Sequence, residues 1–359
     1  MNRADFCKLN PILECDSRES CFPAHIFHAG HPNAKTPRHG RLWLSSIVHL
    51  PSSLVAASAA LGAFASFLPA ALACVAAEPA GLSARYPGDA GIEKDPAVFF
   101  ADNFESGDMQ KWDQVRRSVV TNETPHAGRY CVKMEMVRGK NTGGDAIKWF
   151  LPGADRVYVR FYVKFSSDYR YCHHFVWLGA NHRTNKWSAF GKAGLKPDGA
   201  YYSTGMEPSF AWGKNPPPGE VNLYTYYLDM EPDRKMNKYW GNSFYPPGPG
   251  KGQAAGPQRV IPPLGQWQCW EFMIQANTAP DKADGKQAMW VDGKLVGEFT
   301  GIRWRSDPDL KVNCLWLEHY GYDSSDPTKK YWGERQAVWF DDVVVACQYI
   351  GPRRPSGVQ

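Results

Sequence analysis

Several segments of the chain alternate between apolar and polar side chains, which is the pattern of a β-strand with one buried face. In residues 156–165 (RVYVRFYVKF), every odd-numbered residue is apolar and every even-numbered one is charged or a tyrosine. Residues 130–137, 270–276, 312–320 and 337–347 continue the strand-like pattern. These segments predict an all-β domain whose paired strands each turn one face toward a core.

Turn signals separate the predicted strands. Asp292-Gly293 lies between two such strands and predicts a tight β-hairpin, since both residues tolerate positive φ. Residues 213–220 and 244–263 are long Pro- and Gly-rich stretches, which are typical of functional rims or of solvated insertions. We see no linker, repeat or long helical period after residue 97, so we predict one antiparallel β-sandwich spanning residues 97–353.

Aromatic residues make up 14% of the chain, with 14 Trp and 17 Tyr. Aromatic faces suit the apolar faces of sugars, but large β-sheet cores also use many rings, so the count alone favours neither role. The formal net charge of +5 is too small to indicate a nucleic-acid partner. It is compatible with an anionic polysaccharide.

An uncharged stretch, residues 54–77, follows the basic residues Arg38 and Arg41 and ends in small side chains. This is the pattern of a secretory signal, and it predicts cleavage before Glu78. A membrane anchor is the competing interpretation because the stretch is long enough to span a bilayer, although Pro69 and the many alanines favour cleavage. We expect residues 1–77 to be an upstream extension and signal peptide, and residues 78–96 a linker.

The predicted mature protein is secreted or periplasmic, monomeric and free of the membrane, and we expect residues 1–90 to be largely disordered or removed. Export permits disulfide bonds. Five cysteines follow the predicted cleavage point (Cys131, Cys172, Cys269, Cys314 and Cys347). An odd number leaves at least one thiol without an intramolecular partner.

Several phrases, taken in their order along the chain, resemble the concanavalin A-like jelly-roll polysaccharide lyases. The resemblance is to families fourteen and twenty, the alginate-lyase and glucuronan-lyase types. Its main phrases are DNFESGD at 102–108, VYVRFYVKF at 157–165, LYTY at 223–226, WVDG at 290–293 and VWFDDV at 338–343. The resemblance implies a jelly-roll fold and β-elimination on a uronate-containing polysaccharide.

Two phrases expected of alginate-type members are altered. A Gly-Gly-Lys phrase is expected after the 157–165 strand, where this chain has His173-His174 and no lysine. A Ser-x-Arg phrase is expected on the next strand, where Ser209-Phe-Ala211 lacks the arginine. The Tyr-x-Tyr phrase is retained as Tyr224 and Tyr226, so specificity for alginate is not implied.

β-Elimination requires that the uronate carboxylate be neutralised, that a base remove the adjacent proton and that an acid protonate the leaving oxygen. Tyr224 and Tyr226 are two residues apart and therefore share one face of a strand. His174 and, in reserve, His319 are candidates for proton transfer, and Arg160 is a candidate for the carboxylate. For each of these residues, an ordinary structural role is the alternative.

The resemblance also implies a structural Ca²⁺ that joins Glu105 to Asp341 or Asp342, because carboxylate oxygens suit this ion. No organic cofactor is expected. A non-catalytic, lectin- or LamG-like binding module is the alternative to a lyase. A glycoside hydrolase is a weaker alternative, because Asp229 and Glu231 have the spacing of paired carboxylates but Pro232 interrupts their strand.

Overall fold

The predicted alternation produces the strands of the structure, a computed structural model that describes residues 80–246 and 259–356. Within these ranges the chain forms short 3-10 helices at Leu82–Arg85, Pro87–Asp89, Ile92–Lys94 and Ala211–Gly213. It also forms fifteen strands: β1 (Val98–Asp102), β2 (Gln114–Arg116), β3 (Ser118–Thr121), β4 (Cys131–Val137), β5 (Gly143–Ala154), β6 (Arg156–Phe165), β7 (Val176–Asn181), β8 (Tyr201–Ser209), β9 (Glu220–Tyr226), β10 (Asn242–Phe244), β11 (Trp267–Gln275), β12 (Gly285–Val291), β13 (Lys294–Ile302), β14 (Val312–Tyr320) and β15 (Arg335–Ala346).

The strands pair into two antiparallel sheets. The eight-stranded sheet has the order β13-β12-β11-β6-β15-β4-β3, with β1 added beside β15. The seven-stranded sheet has the order β10-β9-β8-β7-β14-β5-β2. Consecutive strands such as β5 and β6 belong to different sheets, so many connections cross from one sheet to the other. The architecture confirms the predicted antiparallel jelly-roll sandwich.

The core lies between the two sheets and is built from their alternating inward side chains. Phe161 and Trp270 come from the eight-stranded sheet, and Leu223 and Leu315 come from the seven-stranded sheet. Phe175 bridges the two layers, with its ring centroid 5.9 Å from that of Trp270. A fully buried side chain of this size contributes about 1.5–3 kcal/mol to stability. The same alternation sends every second residue of the seven-stranded sheet away from the core, and we call that side the outer face.

The hairpin predicted at Asp292-Gly293 joins β12 to β13. Asp292 has φ of 50° and Gly293 has φ of 78°, so two successive residues are left-handed, as in a type I′ turn. The turn is the one that matches the twist of two antiparallel strands.

Residues 80–96 correct the predicted linker. Leu82 and Ile92 are buried against Val344, Ala346 and Ile350, on the eight-stranded sheet. This packing makes the segment a part of the folded domain, which begins at or before residue 80 and not at 97. The predictions for residues 1–79, including the export segment, lie outside the described residues.

All five described cysteines are free thiols, and four of them are buried. Among the residues that the structure describes, no helix is long and apolar enough to cross a membrane.

The segment before β1 also supplies the partner of a buried arginine. Arg160 is completely buried, and its Nη2 donates to Asp89 Oδ2 at 2.5 Å. Its Nε and Nη1 have no hydrogen-bond partner among the described residues. A buried guanidinium that loses its carboxylate is strongly destabilising.

We predict that Asp89→Ala lowers the free energy of unfolding by about 3 kcal/mol, because Arg160 is then left buried without its counter-ion. Urea denaturation measures this. The matched control is Glu135→Ala, which removes the partner of the exposed Arg335 at 2.5 Å and should cost less than about 1 kcal/mol. Equal losses in the two variants would show that Asp89 contributes no more than a surface charge.

Candidate active site

Tyr224 and Tyr226 project from β9 onto the outer face, whereas Thr225 between them points between the two sheets, where its Oγ1 donates to Gln287 Oε1 of β12 at 3.0 Å. Tyr224 lies opposite Gly205 and Tyr226 opposite Ser203 on β8. The two rings meet edge to face with centroids 5.7 Å apart. Tyr224 is half-buried and Tyr226 is 6% exposed. The two phenols therefore lie side by side on the outer face, where Tyr226 is buried among its neighbours and Tyr224 is partly exposed.

Burial raises the pKa of both phenols. The pKa of Tyr226 rises to about 12, with the hydrogen bond from Tyr224 acting in the opposite direction. The pKa of Tyr224 lies well above its ordinary value, first through burial and then through the neighbouring Tyr226. Both groups are protonated at neutral pH and so are proton donors in their resting state.

His174 reaches the outer face because Phe175, the next residue, turns into the core. Its backbone forms an isolated bridge to Tyr320, just before β7 begins. The imidazole ring lies 5.4 Å from the ring of Tyr224 and 5.0 Å from that of Trp177, centroid to centroid. The structure thus brings together three of the residues expected to carry chemistry, Tyr224, Tyr226 and His174.

Glu207 on β8 is the hydrogen-bond partner of His174, with its Oε2 3.1 Å from Nδ1. Burial lowers the pKa of His174 to about 3 although 19% of its side chain is exposed. Burial also raises the pKa of Glu207 well above its ordinary value. Both shifts favour the uncharged partners, a neutral imidazole and a carboxylic acid.

A second buried acid, Glu318, lies on β14 on the other side of β7. It is opposite Asp145 on β5, and Asp145 accepts hydrogen bonds from Arg116. Glu318 Oε2 has no hydrogen-bond partner among the described residues. Burial is the main cause that raises the pKa of Glu318, with Asp145 next.

A polar row therefore crosses the strands of the outer face and contains Glu318, His174 and Glu207. We call these three residues, together with Asp145 and Arg116, the acid row. Sequence reasoning missed both glutamates. Their signal was present, because each is the one acidic residue of its strand, YYSTGMEPS for β8 and VNCLWLEHY for β14.

Trp177 covers the strand beside the tyrosines. A Cβ atom at Gly205 would lie 2.8 Å from the Trp177 indole ring, which is closer than real contacts allow. The phrase opposite the two tyrosines is Ser203-Thr204-Gly205; like Ser209-Phe-Ala211, it carries no arginine. In this chain an indole ring occupies the space that a side chain at position 205 would need.

Arg160 and His319 do not join the site. Arg160 belongs to β6 of the eight-stranded sheet and bonds Asp89 beneath residues 80–96, so the expectation that it faces a substrate carboxylate is wrong. His319 points into the core, is completely buried and donates from Nδ1 to the Met134 carbonyl at 3.2 Å. Glu318 and His319 are successive residues of β14, and successive side chains of a strand point to opposite faces. His319 therefore faces the core while Glu318 lies on the outer face.

The carboxylates predicted to bind Ca²⁺ are held by backbone amides. Glu105 Oε1 accepts the N–H groups of Arg129 and Tyr130, each at 2.8 Å. Asp341 Oδ2 accepts the N–H of His126 at 2.9 Å, and Asp342 Oδ2 lies 2.8 Å from the imidazole of His126. Among the described residues, no group of three or more His, Cys, Asp or Glu side chains is arranged to hold a metal. The Ca²⁺ site stays a prediction from the resemblance.

A cavity of about 460 Å³ lies near these residues, on the side of the eight-stranded sheet. Asp89, Asp102, Lys111 and Asp342 are among its lining residues. It contains none of the residues predicted to be catalytic, and the tyrosine pair with its neighbouring histidine lies on the other sheet.

Comparison with known proteins gives matches only among solved structures: no protein-family model matches the chain, and no curated protein matches it. One match is an alginate lyase from Chlorella virus, with TM-score 0.49, 16% identity, and coverage of 69% of this chain and 99% of that one. Another is a PL-14 alginate lyase from Aplysia kurodai, with TM-score 0.46, 12% identity, and coverage of 65% and 90%. A third is the endo-β-1,4-glucuronan lyase of Trichoderma reesei, with TM-score 0.42, 16% identity, and coverage of 69% and 95%. Both lyase types that the sequence resembles are found among these structures.

We predict that Gly205→Ala displaces the Trp177 indole and lowers the free energy of unfolding by about 1–3 kcal/mol through overpacking. Thermal unfolding and the near-ultraviolet circular dichroism of tryptophan measure the two effects. Gly179→Ala on the adjacent strand is the matched control, since its Cβ would meet only ordinary contacts at 3.6 Å or more. An unchanged spectrum and stability in Gly205→Ala would contradict the close packing of Trp177.

Proposed function

We propose that this protein is a polysaccharide lyase that cleaves a uronate-containing polysaccharide by β-elimination on the outer face of the seven-stranded sheet. The observation that carries the proposal is that the partly exposed Tyr224 and His174 lie together on the outer face, with the buried Tyr226 beside Tyr224. The fold is compatible with it, and the pair of phenols beside a neutral imidazole supplies both a proton acceptor and a proton donor.

In the proposed reaction, His174 removes the proton on the carbon next to the uronate carboxylate. The electron pair forms a carbon–carbon double bond, and the bond to the glycosidic oxygen breaks. Tyr224 donates its phenolic proton to that oxygen, because it is the more exposed tyrosine and lies beside His174. Tyr226 holds the Tyr224 hydroxyl by hydrogen bonding and so acts as a positioning residue.

Glu207 has two roles in this scheme. Its carboxyl group accepts a hydrogen bond from the Nδ1–H of His174, which leaves Nε2 free to act as the base. In its protonated form it carries no charge to repel the substrate carboxylate, and its hydroxyl is a hydrogen-bond donor for it. A protonated acid would thus contribute the neutralisation that Arg160 does not provide.

We predict that Tyr224→Phe lowers kcat for formation of the unsaturated uronate at least 100-fold, since a positioned general acid contributes roughly 10²–10⁴-fold. The ultraviolet absorbance of the unsaturated product on a panel of polyuronates measures this, with substrate binding followed separately by calorimetry. Tyr227→Phe is the control. Tyr227 is the next residue along the chain after Tyr226, and its hydroxyl bonds Asn242 at 3.1 Å. Wild-type activity that survives in Tyr224→Phe would exclude this phenol as the acid.

The pH dependence tests His174. An ordinary histidine becomes protonated below about pH 6.5, whereas burial lowers the pKa of His174 to about 3. A base must be neutral to act, so kcat/KM should keep its value as pH falls through 6.5 and should decline only as pH approaches 3. A steep acid limb centred near 6.5, absent from a His174→Gln variant with residual activity, would contradict the buried neutral imidazole.

Hydrolysis is the second candidate, and the acid row favours it. Glu207 and Glu318 face the same way from strands separated only by β7, so their Cα atoms are roughly 10 Å apart. Hydrolysis by paired carboxyl groups needs one of them ionised, and burial raises the pKa of both. This places hydrolysis behind elimination. New reducing ends without ultraviolet absorbance would support the hydrolase, and binding without either product would support a non-catalytic module.

A further inference from the structure

The connection between β7 and β8 carries an unusual concentration of positive charge. Residues 182–197 include Arg183, Lys186, Lys192 and Lys196 and contain no Asp or Glu before Asp198. We call this segment the basic loop. It also contributes Trp187 and Phe190, so cations and rings alternate within a short stretch of chain.

Hydrogen bonds hold the basic loop against the outer face. Asn181 Oδ1 at the end of β7 accepts the Ala189 N–H at 2.9 Å. Ser188 Oγ accepts the His182 N–H at 2.7 Å and donates to the Ala200 carbonyl at 2.9 Å. The loop is therefore a fixed part of the surface, tied at its start, middle and end.

The rings of the basic loop extend an aromatic surface toward the candidate active site. Trp187 lies 4.8 Å from Trp149 on β5, and Phe190 lies 4.8 Å from Trp316 on β14, centroid to centroid. Trp316 is paired across the strands with Trp177, and the Trp177 ring contacts His174. A row of aromatic side chains thus runs along the outer face from the basic loop to the proposed catalytic residues.

Lys186 places a cation on this path. Its Nζ lies 4.2 Å from the centroid of the Trp149 ring and 5.9 Å from that of Trp187, while the residue remains exposed. Its backbone carbonyl accepts the Trp149 indole N–H at 3.0 Å. No carboxylate of the described residues lies within ion-pair distance of Lys186. Lys192, by contrast, lies 3.6 Å from Asp198.

The outer face is therefore electrically asymmetric. At the end that holds His174, Arg116 is paired with Asp145, and burial raises the pKa of the two glutamates and so favours their uncharged forms. At the end that holds the basic loop, an ammonium group lies on indole rings without an acidic partner among the described residues. Rings that present a flat apolar surface suit sugar faces, and an ammonium group beside them suits an acidic substituent on that sugar.

We propose that Lys186, with Trp187 and Trp316, forms a distal binding site for a uronate residue of the same polysaccharide chain that is cleaved near His174. The proposal rests on the proposed lyase function and specifies how the acidic substrate is recognised. Lys186 binds the carboxylate of the distal residue, and the aromatic rings pack against its apolar face.

A site away from the reacting bond contributes to substrate binding and leaves the chemical step unchanged. Lys186→Gln should therefore raise KM for a polyuronate about two- to fivefold, which is the effect of one partly exposed charge pair, with kcat unchanged. The effect should shrink at high salt, since ions screen exposed charges. Lys294→Gln is the matched control, because Lys294 is an exposed lysine at the start of β13 in the eight-stranded sheet.

Binding by calorimetry in the Tyr224→Phe background separates recognition from catalysis. The ligands are an oligomer of β-1,4-linked glucuronate and a cello-oligosaccharide of the same length, which differ in the carboxylate alone. Lys186→Gln should weaken binding of the glucuronate oligomer about two- to fivefold and leave binding of the neutral oligomer unchanged. Oligomannuronate serves as a second acidic ligand, to show whether the carboxylate or the sugar stereochemistry decides.

The two proposals fail in distinguishable ways. Unsaturated product from the wild type with no change of KM in Lys186→Gln overturns the distal site and leaves the lyase proposal standing. Weaker binding of the acidic oligomer in Lys186→Gln without unsaturated product from any polyuronate supports the distal site and overturns elimination. Equal weakening for acidic and neutral oligomers overturns the distal site, because the lysine then contributes packing and not charge recognition.

Discussion

Two antiparallel sheets packed face to face impose the constraint from which the rest of the structure follows. Once Phe161 and Trp270 of one sheet pack against Leu223 and Leu315 of the other, every second residue of each strand is committed to the opposite side. The tyrosine pair on β9 reaches the outer face for this reason and no other. A slip of one residue in β9 would bury both phenols in the core.

The two outer surfaces of the sandwich are covered by different segments of the chain. Residues 80–96 cover part of the eight-stranded sheet, where Leu82 and Ile92 are buried and Asp89 bonds Arg160. That contact converts an arginine on a polar strand face into a buried structural residue. On the seven-stranded sheet the corresponding surface is bounded by the basic loop, and His174 and Tyr224 stay partly exposed there.

Burial sets the chemistry of the candidate site more than any ion pair does. The tyrosines and both glutamates are driven toward their protonated forms and His174 toward its neutral form. Burial thus favours the uncharged forms of the ionisable groups near His174, while the ammonium group of Lys186 lies at the other end of the outer face, over the Trp149 ring. The separation of the buried ionisable groups near His174 from the exposed cation of the basic loop is a property of the folded chain, because the two groups come from different connections.

The alternating pattern alone determined the all-β class, the strands at 156–165 and 312–320, the hairpin at Asp292-Gly293 and the shared face of Tyr224 and Tyr226. Each of these depends on neighbours in sequence, through strand periodicity or turn geometry. Tertiary structure alone decided that Arg160 is covered, that His319 lies in the core beside an outward-facing Glu318, and that Glu207 meets His174. These outcomes depend on which distant segments pack together, since a period-2 pattern specifies that two faces exist but not what covers either of them.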